Sequence, residues 1–241
     1  MRKKNKRHRM TLTRNNIEEI IKKSLEKSKS EKNQYMLFGR ILIFINDAFI
    51  SPDVEFDNVI DYIESNIPAH MFGEVDMILI GDNSYLDERE LEAAYREGAI
   101  LIRNTLPNNK DYIENIVHEM AHATEYQYGM FLYGDYELEQ EFTGKRNKFY
   151  YLAKAEGYNV DKAAFEDPEY SQEFDDFLYK EVGYEKLNNM LMGLFVSPYA
   201  STSLQEYYAN GIENYFLDDK KYLSKVSPIL YSKILKVVTG G

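Results

Sequence analysis

The sequence contains no cysteine. Its absence excludes disulfides, zinc sites with cysteine ligands and thiol nucleophiles. Histidine, aspartate and glutamate are therefore the side chains best suited to bind a metal ion here. The sequence also lacks a phosphate-binding glycine loop, a serine nucleophile elbow and a dinucleotide fingerprint, which are the usual signals of several large enzyme classes.

Long apolar runs are also missing from the 241 residues. The most hydrophobic stretch, residues 36–50, is too short to cross a membrane and is interrupted by Arg40 and Asp47. The basic residues 1–10 resemble the start of a signal peptide, but no apolar stretch of seven or more residues follows them. We therefore expect no membrane span, no export through a signal peptide and a cytoplasmic location.

Positive charge is scarce outside the start of the chain. Residues 1–32 hold twelve Lys or Arg and four Glu, whereas residues 33–241 hold seventeen Lys or Arg and thirty-six Asp or Glu. We expect residues 1–32 to form a basic arm, with disorder at residues 1–14 and a short amphipathic helix at residues 16–29. The arm either only aids solubility or binds nucleic acid or another anionic partner, and residues 33–241 form the main domain.

Apolar periodicity predicts an α+β fold. A small N-terminal mixed sheet with helices precedes a mostly helical C-terminal half. Buried strands are expected at residues 40–46, 75–81 and 99–103, with helices at residues 53–66 and 87–96. The helices expected afterwards span residues 111–129, 137–156, 170–195 (two helices broken near Gly183), 203–217 and 228–240.

The segment at residues 111–128 contains a His-Glu-x-x-His motif formed by His118, Glu119 and His122. Only four histidines occur in the chain, and two of them lie here. The apolar residues of this segment recur three or four positions apart, which predicts a helix with one buried stripe centred near Met120. At about 100° per residue, both histidines lie on the opposite face, one turn apart, where they can share one metal ion.

A catalytic zinc site usually has a third protein ligand and leaves its fourth position to water. A metzincin would continue with a glycine and a third histidine, but Glu125 and Tyr128 occupy those positions, so that class is excluded. Glu206 is the candidate third ligand, because it lies on the polar face of the helix predicted at residues 203–217. Glu125 is its rival.

Other polar residues are placed to support the site. Asn210 lies one turn after Glu206 and is a candidate to hydrogen-bond a ligand histidine, and Glu213 is a second candidate for that role. Glu119 is expected to be the general base that takes a proton from water. Tyr199 follows a Ser-Pro turn and is a candidate donor to the oxyanion.

These positions resemble a known family. His118-Glu119-x-x-His122, followed by Tyr199, Glu206-Tyr-Tyr-Ala and the polar Asn210, is similar to the catalytic domain of anthrax lethal factor and the related Pro-Pro endopeptidases, a branch of the gluzincins. The resemblance covers roughly residues 75–217. It departs from the family at Asn210, which is often acidic there, and in a helical insertion at about residues 135–190.

The resemblance implies a zincin-like cleft with one zinc ion per chain. It implies that His118, His122 and Glu206 bind the zinc, that Glu119 is the base and that Tyr199 stabilises the oxyanion. It also implies that the strand at residues 98–103 forms the cleft wall along which an extended peptide lies. The predicted function is therefore zinc-dependent hydrolysis of peptide or protein substrates. The alternative is a non-catalytic interaction or structural protein with a metallopeptidase-like fold.

Overall fold

The computed structural model of the protein describes residues 34–240. The disorder predicted for residues 1–14 and the helix predicted for residues 16–29 lie outside the described residues. None of the described helices combines the length and the apolar character needed to cross a membrane.

Five strands form one mixed sheet. They are β1 (Gln34–Leu37), β2 (Ile41–Ile45), β3 (Met77–Ile80), β4 (Ala93–Arg96) and β5 (Ala99–Ile102). Their order across the sheet is β1-β2-β3-β5-β4, in which β2, β3 and β5 are parallel and the two edge strands are antiparallel to their neighbours. All five strands lie within residues 34–102, and the described residues after 108 are mostly helical, so the predicted α+β class is confirmed.

The helices follow the sequence periodicity closely in most places. They are α1 (Phe56–Asn66), α2 (Ser84–Arg89), α3 (Asn109–Tyr133), α4 (Glu137–Ala155), α5 (Lys162–Glu166), α6 (Gln172–Asp176), α7 (Tyr184–Leu191), α8 (Leu204–Leu217), α9 (Lys220–Val226) and α10 (Pro228–Thr239). A π-helical segment, Phe177–Val182, continues from α6 and ends at Gly183. The motif helix α3 runs past the predicted end at Gly129, because the buried Leu132 extends its packed face by one more turn.

The prediction of a helix at residues 87–96 is wrong. The chain forms the short helix α2 and then the edge strand β4. Glu97 (φ 46°) and Gly98 (φ 87°) both adopt left-handed backbone conformations, which is the two-residue turn that joins adjacent antiparallel strands. Pairing with β5 therefore overrides the helix propensity of this charged segment. Strand β1, which the sequence did not predict, pairs with β2 in the same antiparallel way.

The prediction that the strand at residues 98–103 forms the cleft wall is also wrong. Strand β5 pairs with β3 on one side and with β4 on the other, so it has no open edge for an added peptide strand. Strand β4 is the edge, and it lies against α3. The hairpin turn between β4 and β5 places β4 outside β5, at the edge of the sheet.

Helix α3 packs between the sheet and α8. Its predicted apolar stripe is buried, including Ile116, Val117 and Met120, and so is the stripe of α8 at Tyr208 and Ile212. The contact between α3 and α8 is among the most extensive between helices in the described residues. The polar faces of the two helices consequently meet beside the edge strand β4.

Candidate metal centre

The two helices of the site are both capped by side chains at their N-termini. The Asn108 side chain accepts a hydrogen bond from the Asp111 backbone N–H at 3.1 Å, so Asn108 caps α3. Ser203 caps α8, and its hydroxyl accepts from the Glu206 N–H at 3.1 Å. The Ser203 cap fixes the first turn of α8, which carries Glu206.

Three predicted ligands converge in the fold. Nε2 of His118 lies 3.1 Å from Nε2 of His122. One carboxylate oxygen of Glu206 lies 3.1 Å from the His118 Nε2, and the other lies 3.5 Å from the His122 Nε2. These three side chains are the group of potential metal ligands found among residues 34–240, with all ligand atoms within 4.8 Å of one another.

These distances fit a tetrahedral zinc site. When zinc lies at its usual 2.0–2.1 Å from nitrogen and oxygen ligands, tetrahedral geometry separates neighbouring ligand atoms by about 3.3 Å. The two Nε2 atoms are 3.1 Å apart, and the Glu206 carboxylate faces both of them, with one oxygen 3.1 Å from His118 and the other 3.5 Å from His122. In addition, Oε2 of Glu206 is buried and makes no hydrogen bond, although it lies close to His118. A cation between the three groups would satisfy this oxygen.

Two further carboxylates orient the imidazoles. Nδ1 of His118 lies 2.5 Å from Glu213, and Nδ1 of His122 lies 3.4 Å from Glu125. A carboxylate accepts hydrogen bonds, so each Nδ1 is the protonated nitrogen that donates. In a neutral imidazole this leaves the Nε2 lone pair facing the other two groups, which is the tautomer that metal binding requires.

The carboxylates around His118 and His122 favour positive charge on or between the two imidazoles. Burial by itself would lower the pKa of His118, but the adjacent carboxylates of Glu206 and Glu213 outweigh burial and raise the pKa well above its usual value. Burial also opposes the charged form of His122, yet Glu125 and Glu206 raise its pKa to about 9. Burial raises the pKa of Glu206, and the two histidines overcome this and lower it to about 2. A proton and a metal ion compete for such groups.

The rival ligand Glu125 lies on the far side of His122. One of its oxygens contacts Nδ1 of His122, and the other accepts a short hydrogen bond from the Tyr133 hydroxyl. Glu125 therefore holds the ring of His122 in place, and the geometry places Glu206, not Glu125, against both Nε2 atoms.

Glu119 faces the edge strand. It is 7% exposed, and one of its oxygens accepts a hydrogen bond from the Tyr95 backbone N–H of β4 at 2.5 Å. Burial raises the pKa of Glu119, while the two histidines and the Tyr95 amide lower it only in part. The carboxylate is therefore held beside the two histidines and against the sheet edge.

Tyr199 lies in a short 3₁₀ turn, Tyr199–Ser201, just before α8. The centre of its ring is 6.1 Å from the centre of the His118 ring. Burial, followed by the charge of Glu206, raises the pKa of its hydroxyl, so the group stays protonated and able to donate.

Asn210 does not play the predicted role. Its amide donates to the Glu206 carbonyl at 2.9 Å and accepts from the Ser197 hydroxyl at 2.6 Å. The Ser197 hydroxyl in turn accepts from the Ala200 N–H. Asn210 therefore ties the Tyr199 turn to α8, and Glu213 is the residue that contacts His118.

Glu213 offers a test of this arrangement. We expect Glu213→Gln to weaken zinc affinity by about 10- to 100-fold, because the neutral amide holds His118 less strongly and makes it a poorer ligand. The measurement is zinc competition against a chromophoric chelator. Glu185→Gln, on the exposed side of α7, is the matched control and should bind zinc like the wild type. Equal affinity for Glu213→Gln and the control would contradict the assignment.

The buried Arg146 connects the α4–α7 region to the site. It is 1% exposed, and its guanidinium donates to the carbonyls of Ser201 (3.0 Å), Thr202 (3.1 Å) and Ala164. The same group lies 3.9 Å from the centre of the Phe174 ring, and burial lowers its pKa to about 10. Arg146 therefore anchors the turn that contains Tyr199 and leads to the cap of Glu206.

Removing this anchor should destabilise the protein. We expect Arg146→Met to lower the free energy of unfolding by about 3 kcal/mol or more, because three carbonyl groups lose their donor in a buried region. Urea unfolding measures this change. Lys148→Met replaces an exposed cation on the same helix and should have little effect. Equal stability of the two variants would show that the carbonyls find other donors.

The site also contains residues that the sequence analysis missed. Tyr95 and Arg146 contact the site from other elements, Tyr133 does so from the far end of α3, and no local motif marks them. One signal was Gly98, because glycine readily adopts the positive φ that a two-residue hairpin turn requires and so allows a strand that contains Tyr95.

Comparison of the chain with family models, with curated proteins and with solved structures finds no match in any of the three. The resemblance to the lethal factor and Pro-Pro endopeptidase family stays a prediction from the positions given above.

Proposed function

We propose that this protein is a zinc-dependent metalloendopeptidase of the gluzincin type, with one zinc ion held by His118, His122 and Glu206. The observation that carries the proposal is the spacing of the three ligand groups, 3.1–3.5 Å apart, which suits tetrahedral coordination. Supporting it, the ligand histidines are oriented by Glu213 and Glu125, as metal-binding histidines usually are.

The bound ion would supply two effects: it lowers the pKa of a water molecule to about 7, and it polarises the carbonyl under attack. Glu119 is assigned the proton transfer, taking the proton of the attacking water and delivering it to the leaving amine. Its hydrogen bond to the Tyr95 amide fixes one oxygen and leaves the other to act.

Tyr199 is assigned to the substrate oxygen. As negative charge develops on that oxygen, the protonated hydroxyl of Tyr199 would donate a hydrogen bond to it. The Ser197–Asn210 contact and the Arg146 hydrogen bonds hold the Tyr199 turn in position beforehand. Such preorganisation limits the reorganisation that the reaction requires.

The substrate is proposed to be an extended peptide lying along β4. This strand is the sheet edge next to Glu119. Its Tyr95 N–H points away from β5 and donates to Glu119, so a peptide would bond to other main-chain groups of this edge. Main-chain hydrogen bonds to an open edge bind peptides with little dependence on sequence. Side-chain pockets then determine which residues are preferred.

Metal analysis combined with digestion of a peptide library tests the proposal. We expect one zinc ion per chain and peptide cleavage that a chelator abolishes and zinc restores. Intact peptides in the presence of fully bound zinc would contradict the proposal and favour the interaction or structural protein. Absence of zinc binding would contradict both the ligand set and the reaction.

A further inference from the structure

A recess of about 410 Å³ lies beside the metal centre, along α3 beyond His122. Its walls include Tyr95 of the edge strand together with Tyr126, Gly129 and Tyr133 of α3. The proposed zinc ligand His122 and its neighbour Glu125 line the end of the recess that lies nearest the metal centre. The recess therefore opens directly onto the place where a peptide bond would be cleaved.

The walls are aromatic and open to solvent. Tyr95 and Tyr126 contact each other edge to face, with their ring centres 5.6 Å apart, and Tyr126 is 73% exposed. At Gly129, an added Cβ would meet no atom within 4 Å, so the missing side chain leaves free space. Together, these residues make the recess a slot with tyrosine walls and a glycine in one wall, and it is called the slot from here on.

The slot lies in an acidic domain. Glu125 lies in the lining but is paired with His122 and Tyr133, and apart from His122 the described residues that line the slot include no basic side chain. The main domain is acidic, since residues 33–241 carry thirty-six acidic and seventeen basic residues. Tyrosine rings attract cations through their faces, and an acidic domain attracts cationic peptides from solution.

We propose that this slot binds the arginine or lysine side chain of a peptide substrate, beside the bond that is cleaved. The apolar stem would run along the slot from the cleaved bond, and the cationic end would lie over the rings of Tyr95 and Tyr126. The inference rests on the proposed function for the location of the cleaved bond, whereas the binding preference itself can be measured without turnover.

The experiment measures binding with a randomised peptide library. Glu119→Gln protein, incubated with one equivalent of zinc, is immobilised, and the retained nonapeptides are sequenced. We expect arginine and lysine to be enriched at one position by about threefold to fivefold over methionine and leucine, the factor that one cation–aromatic contact supplies. The same selection is run with Gly129→Leu and with Gly144→Leu, each combined with Glu119→Gln.

The two glycine variants are matched. Gly129 and Gly144 both lie within helices, and neither has an atom within 4 Å of an added Cβ. Leucine at residue 129 fills the slot, so the enrichment of basic residues should disappear, whereas leucine at residue 144 should leave it unchanged. Zinc content and thermal unfolding confirm that each variant is folded.

The outcomes separate this inference from the proposed function. Enrichment of basic residues without cleavage by the wild type supports the slot and contradicts the peptidase. Cleavage by the wild type with no preference for basic residues supports the peptidase and overturns the slot. Enrichment of aromatic or aliphatic residues at the selected position, enrichment that survives Gly129→Leu, or no retention of peptides also overturns it.

Discussion

Replacing Glu119 with glutamine is expected to lower kcat/KM for a cleaved peptide by about three to four orders of magnitude, while zinc remains bound. Glutamine has the same shape and can still accept the hydrogen bond from the Tyr95 amide. It cannot take a proton from water. The loss should therefore appear in kcat/KM and leave zinc stoichiometry and stability unchanged.

The measurement uses any peptide that the wild type cleaves, with the metal content of each preparation determined alongside. Glu114→Gln is the matched control, because Glu114 lies on the same helix and pairs with Lys110 at 3.0 Å on the surface. This control should cleave like the wild type. Wild-type turnover by Glu119→Gln would remove Glu119 from the reaction and leave the zinc ligands untouched.

Glu206→Ala should abolish activity by a different route, the loss of the metal. We expect zinc affinity to fall by more than the 10- to 100-fold typical of removing a group that only supports a ligand. Two imidazoles would remain, without the carboxylate that neutralises part of the ion's charge. Zinc at about 100 times its dissociation constant stabilises a folded protein by about 2.7 kcal/mol, so the wild type should unfold at a clearly higher temperature with zinc, and Glu206→Ala should not.

Comparison with Glu125→Gln makes this prediction specific. Glu125 contacts Nδ1 of His122, away from the converging Nε2 atoms, so its loss should weaken zinc binding only moderately. Chelator competition and thermal unfolding with and without zinc rank the two variants. Retention of zinc by Glu206→Ala, with its loss in Glu125→Gln, would reverse the assignment of the third ligand.

Helical periodicity explains why the two helices of the site were predictable. His118 and His122 are four residues apart, and their position opposite the Met120 stripe depends only on the geometry of one helix. The same holds for Glu206 and Glu213 on α8. Burial of Met120 and Ile212 in the fold confirms both stripes.

The supporting residues could not be chosen in this way. Asn210 and Glu213 both lie on the polar face of α8, and only the packing of α8 against α3 decides which one reaches a histidine. Glu213 lies 2.5 Å from Nδ1 of His118, whereas the Asn210 amide is occupied by Ser197 and the Glu206 carbonyl. The difference depends on a rotation of α8 that its own sequence does not specify.

The edge strand shows the same limit. The residues of β4 follow a charged segment with high helix propensity, and their strand conformation depends on pairing with β5 through the turn at Glu97 and Gly98. This pairing buries β5 and opens the edge beside Glu119. The sequence by itself determined the motif, its helix and the polar face of α8, because each depends on contacts within a few residues. Only the tertiary structure decided that Glu206 meets both histidines, that Glu213 holds His118 and that β4 borders the site, because these contacts join residues that are far apart in the chain.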